Sequence, residues 1–186
     1  MEQLSPEFFA RDTLEVARDL IGVEIAVGKC RGRIVETEAY TTDAASHSVM
    51  RKNKAALMRE TFGHIYVYQS YGVHYCLNFT TERSGTGAVL IRAIEPLAGL
   101  GAMSRRRGVS DPEKLASGPG KLCQALGIGL ELNGRPIGRE IKLYPGPHAP
   151  IVARSTRIGI TRAVDLDWRF FEHGNRFVSR REKIKS

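Results

Sequence analysis

Cysteine is scarce in this sequence, with only Cys30, Cys76 and Cys123 among 186 residues. Three widely spaced cysteines offer neither a disulfide framework nor a metal-ligand spacing, so a reducing compartment is expected. Long apolar runs are missing too. No stretch approaches membrane-spanning length, and no charged-then-apolar leader opens the chain. The expectation is a cytoplasmic or nucleoid/nuclear protein with no membrane partner. No internal repeat, low-complexity tract or linker breaks residues 1–186, which read as one domain large enough for a real core. Acid is in short supply: 20 Asp and Glu against 28 Lys and Arg leave a net charge of +8. That balance favours a polyanion such as nucleic acid. The excess clusters at Arg105-Arg106-Arg107 and from Arg176 to Lys185.

What is present centres on Ile34-Val35-Glu36-Thr37-Glu38-Ala39-Tyr40. It reads as a strand, and strict alternation places Ile34, Glu36, Glu38 and Tyr40 on one face. A carboxylate beside a tyrosine on a largely apolar strand is costly unless something binds there. Further candidates follow in His47, the tyrosines 66, 68, 71 and 75, Asn78, and Arg92 within an apolar run. A helix is expected from Ser5-Pro6-Glu7 to Gly22, and others over 53–60, 97–107, 112–116 and 121–126. Strands are expected over 23–27, 33–40, 65–69, 73–80 and 88–94, with Ser70-Tyr71-Gly72 a hairpin turn, and strand pairs over 152–161 and 170–179. The stretch from Gly127 to Pro150 reads as loop with a short strand.

Each candidate has an ordinary reading. Glu38 and Arg92 suit a structural ion pair as well as a water-activating carboxylate held beside a cation. Tyrosines at alternating positions suit a sheet, and also the walls of a pocket for a flat cationic base. Ser117-Gly118-Pro119-Gly120-Lys121 resembles a phosphate loop without its full spacing. It suits a DNA-backbone contact at a helix start or a plain cap. Two rival functions stand beside a nucleic-acid enzyme: a non-catalytic nucleic-acid-binding module, and a small nucleotide-binding enzyme using Ser117–Lys121.

Several ordered blocks resemble the alkyladenine (3-methyladenine) DNA glycosylase family: Val35–Tyr40 with Ala45–Ser48, Tyr66-Val67-Tyr68, Tyr71-Gly72, Cys76–Asn78, Val89–Pro96, Leu115–Leu126 and Arg157–Ile160. The resemblance implies a single mixed α/β (α+β) domain around a curved, mostly antiparallel sheet with flanking helices. It implies a monofunctional enzyme that flips an alkylated or deaminated purine out of duplex DNA and hydrolyses its N-glycosidic bond. Glu38 resembles the general base, Arg92 its partner, and the Ile158 carbonyl a backbone contact to the water. Tyr40, His47 and Tyr68 resemble the pocket walls, Asn78 a filter against the guanine amine, and Tyr71 the intercalating wedge. The family implies damaged double-stranded DNA as partner, a monomer, the bare catalytic core, and no metal or cofactor. No lysine lies in these blocks except Lys121, so no Schiff-base nucleophile is evident.

Overall fold

Short β-rich segments separated by glycine turns build one sheet in the computed structural model, which describes residues 2–50 and 56–180. Its strands are β1 (Glu24–Val27), β2 (Cys30–Tyr40), β3 (Ile65–Ser70), β4 (His74–Thr81), β5 (Gly87–Ala98), β6 (Ile141–Tyr144), β7 (Val152–Ser155) and β8 (Arg169–Glu172). They run in the order β3-β4-β5-β2-β1-β6. The first part of β2 pairs with β1, and Glu36–Glu38 on the same edge pair with β8, which carries β7. All these pairings are antiparallel. With six α-helices among the described residues, the fold is mixed α/β, as expected.

The helices are α1 (Thr13–Asp19), α2 (His47–Met50), α3 (Ala56–Glu60), α4 (Leu100–Arg107), α5 (Pro112–Leu115) and α6 (Pro119–Leu126). The helix expected from Ser5 is split. Pro6–Ala10 forms a 3₁₀ turn, and Asp12 then caps α1 by accepting the Leu14 and Glu15 amides at 2.9 and 3.1 Å. An acceptor there satisfies donors that the first helical turn leaves open. Leu97 and Ala98 extend β5 instead of starting α4. The strand pairs expected over 152–161 and 170–179 are each a single short strand, Val152–Ser155 and Arg169–Glu172, and these two pair with each other. The start of the helix expected from Asn53 and the basic tail beyond Arg180 lie outside the described residues.

Residues 127–150 buttress the sheet. Asn133 Oδ1 accepts the Val67 amide at 2.9 Å, and β6 pairs along β1. Alternation holds on three strands. Ile65 and Val67, Leu77 and Phe79, and Val89 and Ile91 enter the main core beneath α1, α4 and α6. The neighbours Tyr66 and Tyr68, Cys76 and Asn78, and Ala88, Leu90 and Arg92 line a cavity.

Alternation fails where β2 meets β5. Ile34 pairs with Ile94, Glu36 with Ala93 and Thr37 with Ile91, leaving Val35 and Arg92 as extra residues in paired bulges. Bulges of this kind re-aim side chains. Ile34 therefore joins the main core with Ala39, while Val35 packs with Ala93, Phe171, Phe177 and Val178 in a second cluster. The expectation that Ile34 shares a face with Glu38 is wrong for this reason. Arg92, the extra residue on β5, reaches both glutamates.

Candidate active site

The cavity is about 560 Å³ and opens between the β3–β4 hairpin, the start of α2 at His47 and residues 158–162. That volume suits a ligand of nucleobase size with room for its sugar. Four rings, Tyr40, His47, Tyr66 and Tyr68, line it beside aliphatic and polar residues. His47 and Tyr68 meet edge to face with centroids 4.3 Å apart, and His47 Nδ1 lies 2.8 Å from the Tyr66 hydroxyl. Burial, followed by the charge of Glu38, pushes the Tyr40 hydroxyl well above the usual phenol range. It keeps its proton and donates to Glu38 Oε2 at 2.8 Å.

Glu38 itself is fully buried. Its Oε1 accepts the Ile158 amide at 2.7 Å, and Arg92 Nη1 lies 3.2 Å from Oε2. The Ile158 contact to the carboxylate is thus made by the N–H. Burial is the largest influence on Glu38 and raises its pKa, despite the opposing effects of Arg92, the Ile158 amide and Tyr40. A carboxylate moved towards neutrality is better matched to taking a proton from water.

Arg92 has a second side, turned away from the cavity. Its Nε donates to Glu36 Oε1 at 2.9 Å, and its Nη2 donates to Ser179 Oγ at 3.2 Å. Glu36 also accepts Arg169 Nε at 2.8 Å, the Ser179 hydroxyl at 2.8 Å and the Ser179 amide at 2.5 Å. Burial would raise the Glu36 pKa, but Arg92 and Arg169 outweigh it and hold the carboxyl below its ordinary range. Sequence reasoning placed Glu36 beside Glu38 but gave it no role. Arg169 and Ser179 lie more than 130 residues away and carried no local signal.

Arg157 was also missed. Its guanidinium forks onto Asp43 at 2.7 and 3.2 Å and donates to the Ala39 carbonyl. It lies 4.6 Å from the centre of the Tyr40 ring and 5.1 Å from that of Trp168. One buried cation thereby fixes a cavity wall and the residue preceding Ile158. The only hint in the sequence was its place at the head of the Arg157–Ile160 block.

Asn78 is buried on the cavity floor, its amide group donating to the Tyr66 carbonyl at 3.1 Å and the Cys76 carbonyl at 3.3 Å. Tyr71 sits at the rim, 90% exposed, between paired Ser70 and His74. Its φ of +50° precedes Gly72 at +72°. Glycine takes that region freely, whereas a tyrosine held there stores about 1–3 kcal/mol of strain.

Ser117-Gly118-Pro119-Gly120-Lys121 runs from α5 into α6 without a preceding strand. Ser117 bridges Ala93, Gly118 takes φ +137°, and Pro119 reaches the cavity edge. Gly120 packs so closely on His74 that an added Cβ would come within 3.0 Å of its ring. Lys121 is exposed. The arginine cluster is partly committed to packing: Arg106 donates to the Ala125 carbonyl at 2.8 Å and Arg107 to that of Leu115 at 3.0 Å.

Comparison with known proteins adds an independent finding. Residues 7–176 match the family model described as methylpurine-DNA glycosylase. A protein of Agrobacterium fabrum named "Putative 3-methyladenine DNA glycosylase" is 48% identical, over 97% of this chain and 96% of its own length. Proteins with the same name occur in Nitrosospira multiformis, 48% identical over 97% of this chain and 95% of the relative, and in the archaeon Methanoculleus marisnigri, 45% identical over 96% and 99%.

Proposed function

The chain belongs to the methylpurine-DNA glycosylase family, and on that premise we propose that it removes 3-methyladenine and related damaged purines from double-stranded DNA. The observation that carries the reading is a buried carboxylate, Glu38, tied to Arg92, Tyr40 and the Ile158 amide, three residues that line the cavity. The electron-rich walls suit a flat cationic base, for which stacking and cation–π attraction add. A base must leave the duplex stack to reach such a cavity, at a cost of a few kcal/mol. Tyr71, projecting from the rim, would fill the gap it leaves.

Cleavage would proceed by hydrolysis. A water oxygen bonds to C1′ of the deoxyribose while the C1′–N bond breaks, and the bond's electron pair leaves with the base. An alkylated base departs neutral because it carried a positive charge in DNA. Glu38 accepts the proton released by the water, and its negative charge stabilises the cationic sugar of the transition state. Tyr40, His47 and Tyr68 would hold the base. Asn78, pinned by two backbone carbonyls, would clash with the exocyclic amine of guanine. The single domain, acting as a monomer, would approach DNA with the hairpin tip, and the Gly118–Lys121 helix start would meet the backbone.

The test uses duplex DNA methylated chemically and incubated with the full chain. Free 3-methyladenine should appear, together with abasic sites that break only on later treatment with alkali. Strand breaks before alkali would indicate lyase chemistry, and no released base would sink the reading.

A further inference from the structure

We propose that Glu36 is a positioning residue for Glu38: it fixes Arg92 through Nε so that only Nη1 reaches Glu38, and its carboxylate, balanced by Arg169, sets the charge that Glu38 meets. The proposal rests on the reading of Glu38 as the water-activating base. Its geometry is unusual for a purely structural ion pair. A guanidinium frequently binds a single carboxylate through two parallel N–H bonds. Here Arg92 spans three groups, meeting Glu36 at 2.9 Å, Glu38 at 3.2 Å and Ser179 at 3.2 Å. Glu36 accepts four donors in all, from Arg92, Arg169 and both the hydroxyl and amide of Ser179. The segment carrying Ser179 is locked in turn, for Arg169 Nη2 donates to the Arg180 carbonyl at 2.8 Å and Phe177 and Val178 join the second core cluster. Nothing in that arrangement touches the cavity except through Arg92.

The charges explain why two glutamates share one arginine. Glu38 faces Arg92 from β5, Tyr40 and Glu36 from its own strand, Tyr68 from β3, Cys76 from β4 and the Ile158 amide from the loop after β7. Arg169 on β8 pairs with Glu38 in register and donates to Glu36. Two buried carboxylates and two buried guanidiniums then cancel. Removing the charge of Glu36 leaves Glu38 alone with two cations, which favours its ionised form. Removing the charge of Arg169 leaves two carboxylates on one guanidinium, which favours its protonated form.

The experiment is the pH profile of single-turnover release of 7-methylguanine from methylated duplex DNA. This base is already cationic, so its departure needs no protonation and the acid limb reports the base on the enzyme. Glu36→Gln should move that limb to lower pH and Arg169→Gln to higher pH, each by about one pH unit or more. Arg169→Lys, which keeps the charge, should leave it near the wild-type position. Shifts of the same sign, or none, would overturn the proposal, and if Glu36→Gln does not fold, an unmoved limb in Arg169→Gln does so alone. A limb that survives in the residual activity of Glu38→Gln does not arise from Glu38, and the base assignment fails instead. One that vanishes there but stays fixed in the Glu36 and Arg169 variants refutes the positioning role only.

Discussion

Arg92 separates two regions built from the same strand that obey opposite rules. On its sealed side, Glu36 is held by two arginines and Ser179, and its pKa is lowered because those partners outweigh burial. On its cavity side, Glu38 is equally buried but receives one arginine corner, a phenol and an amide, and burial prevails. Only Thr37 separates them in the sequence. What differs is how many cations each one receives, and this sorts a stabilising carboxylate from one suited to accept a proton.

The sharpest way to break the comparison is to neutralise the cavity side. Glu38→Gln should slow single-turnover excision by roughly 10²–10⁴-fold, the usual scale for general-base catalysis, while binding to lesion duplex persists. A carboxyl whose pKa is raised on folding lowers stability as pH climbs past its unfolded value. The variant should therefore melt at or above the wild-type temperature near pH 8, with the margin narrowing in acid. A near wild-type rate would erase the distinction between the two glutamates.

Glu36→Ala probes the other side, and its main effect should be on stability. Removing one partner of a buried ionic cluster leaves Arg92 and Arg169 uncompensated, at a cost of about 3–5 kcal/mol. Because the folded Glu36 has a lowered pKa, its contribution is present above the ordinary carboxylate range and fades as pH falls below it. Urea titrations at pH 7 and pH 3.5 should show the gap between wild type and variant shrinking in acid. A gap that is constant or widens would mean that Glu36 is not held as an anion.

Tyr71 lies on the cavity side but far from the charges, so its loss should affect flipping and leave Glu38 intact. Tyr71→Ser should weaken excision from a stable pair by the value of one stacked base, about 1–3 kcal/mol. The loss should be smaller in a one-nucleotide bulge, where opening the duplex costs little. Equal losses in both contexts, with unaltered fluorescence of a reporter base, would leave Tyr71 as a turn residue.

The smallest effect is expected at Asn78, which shapes the cavity without bearing charge. Asn78→Ser should raise release of normal guanine by about tenfold relative to hypoxanthine, since a pocket gains about 1–3 kcal/mol of tolerance when a clash is relieved. An unchanged ratio would place the discrimination elsewhere in the wall.

Much of the sheet can be read from the sequence. Period-two patterning located β3, β4 and β5 to within a residue or two at most ends, because apolar alternation is a local signal. Tyr40, Tyr68, Asn78 and Arg92 do come together around one cavity, and Glu38 is bound to Tyr40 and Arg92 behind its wall. The helix expected from Ser5 failed because Asp12 offers a better cap, and the late strands failed because β propensity says nothing about where a partner strand ends.

Composition and patterning along the chain carry the β-rich scaffold, the basic balance and the candidate site residues. The different settings of Glu36 and Glu38 come from the fold. Alternation assigns Ile34 and Glu38 to one face, yet the bulges at Val35 and Arg92 overturn that locally. The partners that divide Glu36 from Glu38 arrive from β5, β8 and residue 179. A carboxyl group's proton affinity depends on burial and on neighbouring charges, and both are fixed by what the chain brings back from a distance.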